Sequence, residues 1–199
     1  MKIKDMITII DYNLGNVDGL ANALTLTGIK YKITKNENDI IGAERIILPG
    51  TEEAFSAVKK LHLLNLFTVL RIIKKPVLGI GLGMQLLSEF SREGDVACLG
   101  KFEGIVEKFT DTISNVPFSG NYTVKIEKEC LLFQNIERSA EFRFRNSYYL
   151  PVRDYTWATA VNGISFSAAI KKDNFYGVQF HPEESEKAGL MLLKNFSEL

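Results

Sequence analysis

A chain of 199 residues is long enough to bury a full core without disulfides or metal, and 46% hydrophobic with 24% charged residues suits a water-soluble globular domain. Its 24 Lys and Arg are balanced by 24 Asp and Glu, so a formal charge of zero gives no overall electrostatic footprint for nucleic acid or an anionic membrane. No apolar run reaches the roughly 18 residues of a membrane span, Asp5 and Asp11 cut the N-terminal run short of a signal peptide, and Cys98 and Cys130 lack the close spacing of zinc or redox motifs. The expectation is a cytoplasmic protein with no metal, no cofactor and no membrane or nucleic-acid partner.

In chain order, "MITIIDY" (Met6 to Tyr12) reads as a buried strand, and a helical run from Val17 to Leu26 follows the turn "NLGN". "KYKIT" (Lys30 to Thr34) and "RIILPG" (Arg45 to Gly50) repeat the strand signal, followed by the helical stretches "EEAFSAVKKLHLL" and "LFTVLRIIKK". The stretch "PVLGIGLGMQLLSEF", Pro76 to Phe90, reads as a short apolar strand turning sharply into an amphipathic helix. Strands alternating with helices predict an α/β fold, a central mostly parallel sheet whose sites collect at the carboxyl ends of the strands, where Gly50 and Gly81 lie. Past about Gly94 come shorter runs, "GIVEKF", "YTVKIE", "EFRFRNSYYLPV", "TWATAV", "ISFSAAI" and "FYGVQF", which predict a mixed or antiparallel extension of the same sheet. The last helix, Glu186 to Phe196, turns Leu192 and Phe196 inward. Without linker or repeat, residues 1–199 read as one domain.

Two constellations carry chemistry. "GIGLG" (Gly79 to Gly83) fails the dinucleotide fingerprint because Met84 holds its last place. Gly79 and Gly83 are explained by a tight turn and close packing, but a strand-to-helix elbow holds its apex residue at positive φ with the side chain over the sheet, and that apex is Gly81. In "GVQFHPEES" (Gly177 to Ser185), His181 follows an apolar strand and Pro182 turns the chain so that Glu183 returns toward the imidazole. A histidine held in one tautomer by a carboxylate is what a general base for a nucleophile requires; a strand-capping histidine is the competing reading. His62 reads as an ordinary helix residue. Ser88 and Ser91 are poor nucleophile candidates because neither stands at the apex.

The blocks "IDYNLGNV", "ILPG", "GIGLGMQLL", "NSYY", "FSAAI", "GVQFHPEES" and "AGLMLLKNF" resemble, in order and over nearly the whole chain, the class I glutamine amidotransferases, and among them the glutaminase subunits of imidazole glycerol phosphate synthase. In that family the elbow cysteine attacks the glutamine amide, the thioester is hydrolysed to glutamate, and ammonia passes to a cyclase-type (β/α)8 barrel subunit in a heterodimer. The resemblance implies that His181 and Glu183 are the base and its orienting carboxylate. It also implies that Gly50, Gln85, Ser147 and Tyr148 hold glutamine, and that Gly50, Thr51, Glu52 and Leu82 form the oxyanion region.

This chain departs from the family at four places. Gly81 stands where the nucleophilic cysteine belongs, and glycine cannot form a thioester. "PGTE" replaces P-G-V-G, which puts Glu52 at the second glycine. "VPFSGNY" replaces V-P-H-M-G-W-N, so Phe118, Ser119, Asn121 and Tyr122 occupy the partner-facing segment beside the ammonia route. Asn146 replaces the histidine of H-S-Y-Y. The expectation is a glutaminase-deficient chain: a pseudo-glutaminase that binds or regulates a barrel partner, a paralogue serving amidation in surface-polysaccharide biosynthesis, or a variant inactivated in the laboratory. The last would account for Gly81 alone, whereas Glu52 and "VPFSGNY" favour natural divergence.

Overall fold

A computed structural model of the chain describes residues 6–110 and 115–199. The first half is β1 (Met6–Ile10), α1 (Val17–Leu26), β2 (Lys30–Thr34), α2 (Glu37–Ile41), β3 (Arg45–Leu48), α3 (Ala54–Leu63), α4 (Leu66–Ile72), β4 (Val77–Ile80) and α5 (Leu82–Gln85). The second is β5 (Ser88–Ser91), β6 (Val96–Ala97), β7 (Phe102–Lys108), β8 (Phe118–Ile126), β9 (Ser139–Asn146), β10 (Tyr148–Tyr149), β11 (Thr156–Asn162), β12 (Ile164–Lys172), β13 (Phe175–Val178) and α6 (Glu186–Ser197).

Among the described residues, nine strands form one sheet in the order β2-β1-β3-β4-β13-β12-β11-β8-β9. Pairing is parallel from β2 through β13 and antiparallel from β13 outward to β9. β1 shows why both faces must be covered: Ile7 and Ile9 enter one core with Leu20, Leu24, Leu192 and Phe196 of α1 and α6, and Ile10 enters the other with Leu61, Leu66 and Leu70 of α3 and α4. This is the near-continuous apolar strand of a parallel sheet, with side chains alternating between two helical layers. Asn16 starts α1 by accepting the Gly19 N–H at 3.1 Å.

Two expectations are corrected. "GIVEKF" does not extend the main sheet. It lies in β7, within a separate four-stranded sheet ordered β10-β7-β5-β6. The helix after the elbow is one turn, α5, and the chain re-enters a strand at Ser88. An amphipathic helix needs a wet face, and every residue from Val77 to Ser88 is buried. The carbonyls that a longer helix would bond internally are taken from outside: Leu86 C=O accepts from Leu99 N–H at 2.9 Å, Leu87 C=O from Lys101 and Phe102 at 2.8 and 3.0 Å, and Ser88 C=O from Gly100 at 2.7 Å. No described helix is long and apolar enough to cross a membrane.

Candidate active site

Gly81 sits at the end of β4 with φ +59° and ψ −119°, a conformation that costs a residue with a side chain roughly 1–3 kcal/mol. Backbone bonds hold the elbow: Gly81 N–H donates to Val178 C=O at 2.9 Å, and Leu82 N–H donates to Gly50 C=O at 3.0 Å. Gly83 is required for a different reason, since a Cβ there would run into the Leu48 carbonyl. A Cβ placed on Gly81 would lie 3.2 Å from His181 Nε2, 3.1 Å from its Cε1 and 2.7 Å from the Gly50 carbonyl oxygen. The apex therefore faces the imidazole, and the Gly50 carbonyl leans into the space a side chain would use.

His181 follows the end of β13 and is tied to β9 by its N–H, which donates to Arg143 C=O at 2.8 Å. Pro182 opens a single 3-10 turn, Pro182–Glu184, that brings Glu183 Oε1 to 3.0 Å from His181 Nδ1, with both side chains almost fully buried. A carboxylate on Nδ1 holds that nitrogen's proton and turns Nε2 toward the elbow, the geometry of a general base. Ser185 closes the turn: its hydroxyl donates to His181 C=O at 2.5 Å and accepts from Arg143 N–H at 2.9 Å. Glu183 Oε2 is enclosed and has no partner among the described residues.

Beside the elbow lies a cleft of about 180 Å³ lined by Gly50, Thr51, Glu52, Leu82, Gln85 and Tyr148, with Glu93, Pro117, Arg145, Asn146, Ser147 and Gln179 completing it. All seven positions expected to hold glutamine or an oxyanion thus meet on one surface next to Gly81. Neither of two backbone donors there is open, however: Thr51 N–H is taken by Leu14 C=O at 3.1 Å and Leu82 N–H by Gly50 C=O. A developing oxyanion has no free donor at either until the Gly50 peptide turns away. Glu52 stands exposed on the rim, and its charge, after burial, helps to push the Tyr12 phenol far above its ordinary pKa. A wider groove of about 570 Å³ over α2 and α4, where His62 stacks on Phe67, shares no residue with the elbow and brings no acid–base pair together.

Two further cleft residues lie outside the sequence expectation. Glu93 accepts the Ala54 N–H at 3.1 Å, and burial raises its carboxyl pKa against that hydrogen bond, with the Glu53 charge adding to the rise. Nothing in the charged turn "SREGD" marks it; only the return of β5 over the start of α3 brings it in. Gln179 was legible in principle, because a glutamine inside the apolar "GVQF" two residues before His181 shares its strand face.

The partner-facing expectation divides. Phe118 is only 1% exposed and packs in the core against Phe144 and Phe166, so its side chain is not presented on the surface. Tyr122 is half-buried and stacks on Phe118 at 3.8 Å between centroids, whereas Ser119 and Asn121 stand exposed on β8. Asn146, which donates to Tyr148 C=O at 2.9 Å, keeps its Oδ1 enclosed and without a partner among the described residues. Among the described residues, Cys98, Ser88 and Ser91 do not replace the nucleophile. Burial pushes the Cys98 thiol up to about 11, Ser88 Oγ donates to Gln85 C=O at 2.7 Å, and Ser91 Oγ accepts the Glu93 N–H at 3.1 Å.

The family model for class-I glutamine amidotransferases matches residues 8–198. The imidazole glycerol phosphate synthase subunit HisH of Haemophilus influenzae is 42% identical over 192 residues, covering 96% of each chain. The subunit of the same name from Vibrio parahaemolyticus is 39% identical over 199 residues, covering 97% of this chain and 98% of its own. Among solved structures, PurLQS from Thermotoga maritima superposes with a TM-score of 0.70 at 20% identity, covering 98% of both chains. A glutamine amidotransferase superposes at 0.74 and 16%, covering 97% of this chain and 99% of its own. These two share the fold. Fold, elbow, histidine–carboxylate pair and the likeness to HisH subunits along the whole length agree: the chain belongs to the class-I glutamine amidotransferases and, within them, to the family of HisH subunits of imidazole glycerol phosphate synthase.

Proposed function

We propose that this chain is a synthase subunit that keeps the base and the glutamine cleft of its family but does not hydrolyse glutamine through a thioester. The observation that carries the reading is Gly81: the position lies 3.2 Å, measured from a Cβ built there, from a His181 Nε2 already oriented by Glu183, and offers it nothing to deprotonate. Covalent catalysis splits amide cleavage into two easier steps, and without the nucleophile both are lost. Binding and transition-state contacts alone leave roughly 10³–10⁴ over water. The occupied Leu82 and Thr51 N–H groups lower that remainder further.

The names of the relatives support a subunit role. The partner is a cyclase-type (β/α)8 barrel in a heterodimer, with the exposed Ser119 and Asn121 of β8 on the docking side. The test is glutamate release from glutamine by the purified chain, alone and with its barrel partner. Release at the background rate is expected in both cases. Turnover at the rate of a cysteine-bearing HisH would overturn the proposal.

A further inference from the structure

The Gln85 carboxamide is held by two contacts that fix which way round it sits. A backbone carbonyl only accepts, so Tyr148 C=O at 3.0 Å requires Gln85 to turn its Nε2 toward it. The second N–H of that nitrogen goes to Gln179 Oε1 at 2.9 Å. Both side chains are nearly enclosed, 3% and 1% exposed, and both line the cleft beside the elbow. With both N–H groups of Gln85 taken, the atom left to face a ligand is Oε1, to which no described residue donates. The carboxylates of Glu52 and Glu93 line the same cleft, and Arg145, the one cation among the described lining residues, is paired with Glu184 at 3.1 Å. Acceptors in excess, two of them carboxylates, suit a ligand that brings a primary ammonium.

We infer that Gln179 is a positioning residue: by accepting the second N–H of Gln85 it keeps the Gln85 oxygen turned to the cleft, and so selects an amino acid over the same molecule without its α-amino group. The inference rests on the proposed glutamine cleft. Without Gln179, the Tyr148 carbonyl still favours that orientation but through one bond alone, so the carboxamide turns more readily and offers an N–H where the ligand also brings one. Loss of one such orienting bond corresponds to about tenfold in affinity.

The experiment is calorimetric titration of the full chain with L-glutamine and with glutaramate, its des-amino analogue. The native chain is expected to prefer glutamine by about tenfold or more. Gln179→Leu is expected to lower glutamine affinity about tenfold and leave glutaramate affinity within about threefold, so the preference collapses. Equal weakening of both ligands would mark a packing role and overturn the inference. In a Gln85→Leu background, Gln179→Leu is expected to add nothing, and an additive loss would overturn it as well. Should Gln179→Leu fail to fold, Gln179→Glu, whose carboxylate still accepts from Gln85, is expected to keep the preference; its loss there refutes the role. A native chain that binds both ligands equally overturns this inference alone. One that binds neither overturns the glutamine cleft itself.

Discussion

Substituting Gly81 by alanine tests the elbow without supplying a nucleophile. The added Cβ lies 2.7 Å from the Gly50 carbonyl oxygen, inside contact distance, and the backbone stays at φ +59°. The positive φ costs roughly 1–3 kcal/mol. The contact is relieved if the Gly50 peptide turns, which breaks its 3.0 Å bond from Leu82 N–H, at a net cost of about 0.5–1.5 kcal/mol. Together these give roughly 3 kcal/mol at mid-range, a fall in Tm of about 6–12 °C for a chain of this size. Thermal unfolding followed by circular dichroism measures the total. Amide hydrogen exchange measures the mechanism: Leu82 N–H should exchange faster in Gly81→Ala, while Gly81's neighbours across β4 and β13 keep their protection. Unchanged protection at Leu82 with Tm within about 1 °C of the native chain would refute the reasoning. Gly81→Cys carries the same backbone consequence and adds a thiol facing His181 Nε2. Glutamate release in the presence of the barrel subunit is then expected with cysteine and not with alanine.

Ser185→Ala removes the hydroxyl that bridges His181 C=O and Arg143 N–H; a loss of about 1–3 kcal/mol in urea unfolding is expected, with the m-value unchanged. Cys98, its thiol pushed up to about 11 by burial, should react with iodoacetamide at pH 8 at least about a hundredfold more slowly than a free thiol, and prompt labelling of the folded chain would contradict this. Glu93 has a folded pKa raised first by burial, so the stability present when it is protonated is lost as pH rises from its ordinary value through the raised one. Glu93→Gln should therefore match the native chain in stability at pH 4 and exceed it at pH 7, as read from unfolding midpoints at the two values.

The sequence and the structure agree where a physical signal is local. β1, β3 and β4 read as buried parallel strands because their apolar runs leave no wet face, and the pairing of His181 with Glu183 was legible because Pro182 fixes a turn only two residues wide. The elbow's positive φ was also legible, since Gly81 stands between an apolar strand and a helical start. What could not be read depends on contacts across long stretches of chain. The four-stranded second sheet exists because residues 99–102 satisfy the carbonyls of Leu86 to Ser88, and no periodicity encodes that exchange. Glu93 reaches the cleft, and Phe118 leaves the surface, through packing that their neighbours in sequence do not announce.

The survival of the site around an absent nucleophile follows from which interactions hold it. The elbow is fixed by backbone bonds from Gly81 to Val178 and from Leu82 to Gly50, and the His181 turn by Ser185, Arg143 and Glu183. None of these uses a side chain at position 81. A glycine there avoids positive-φ strain, and the Gly50 carbonyl that accepts the Leu82 N–H lies in the space a side chain would use. Catalysis and architecture separate at this one position. A site held in this way keeps its cleft, with Gln85 and Gln179 paired at 2.9 Å, whether or not a reactive side chain stands at position 81.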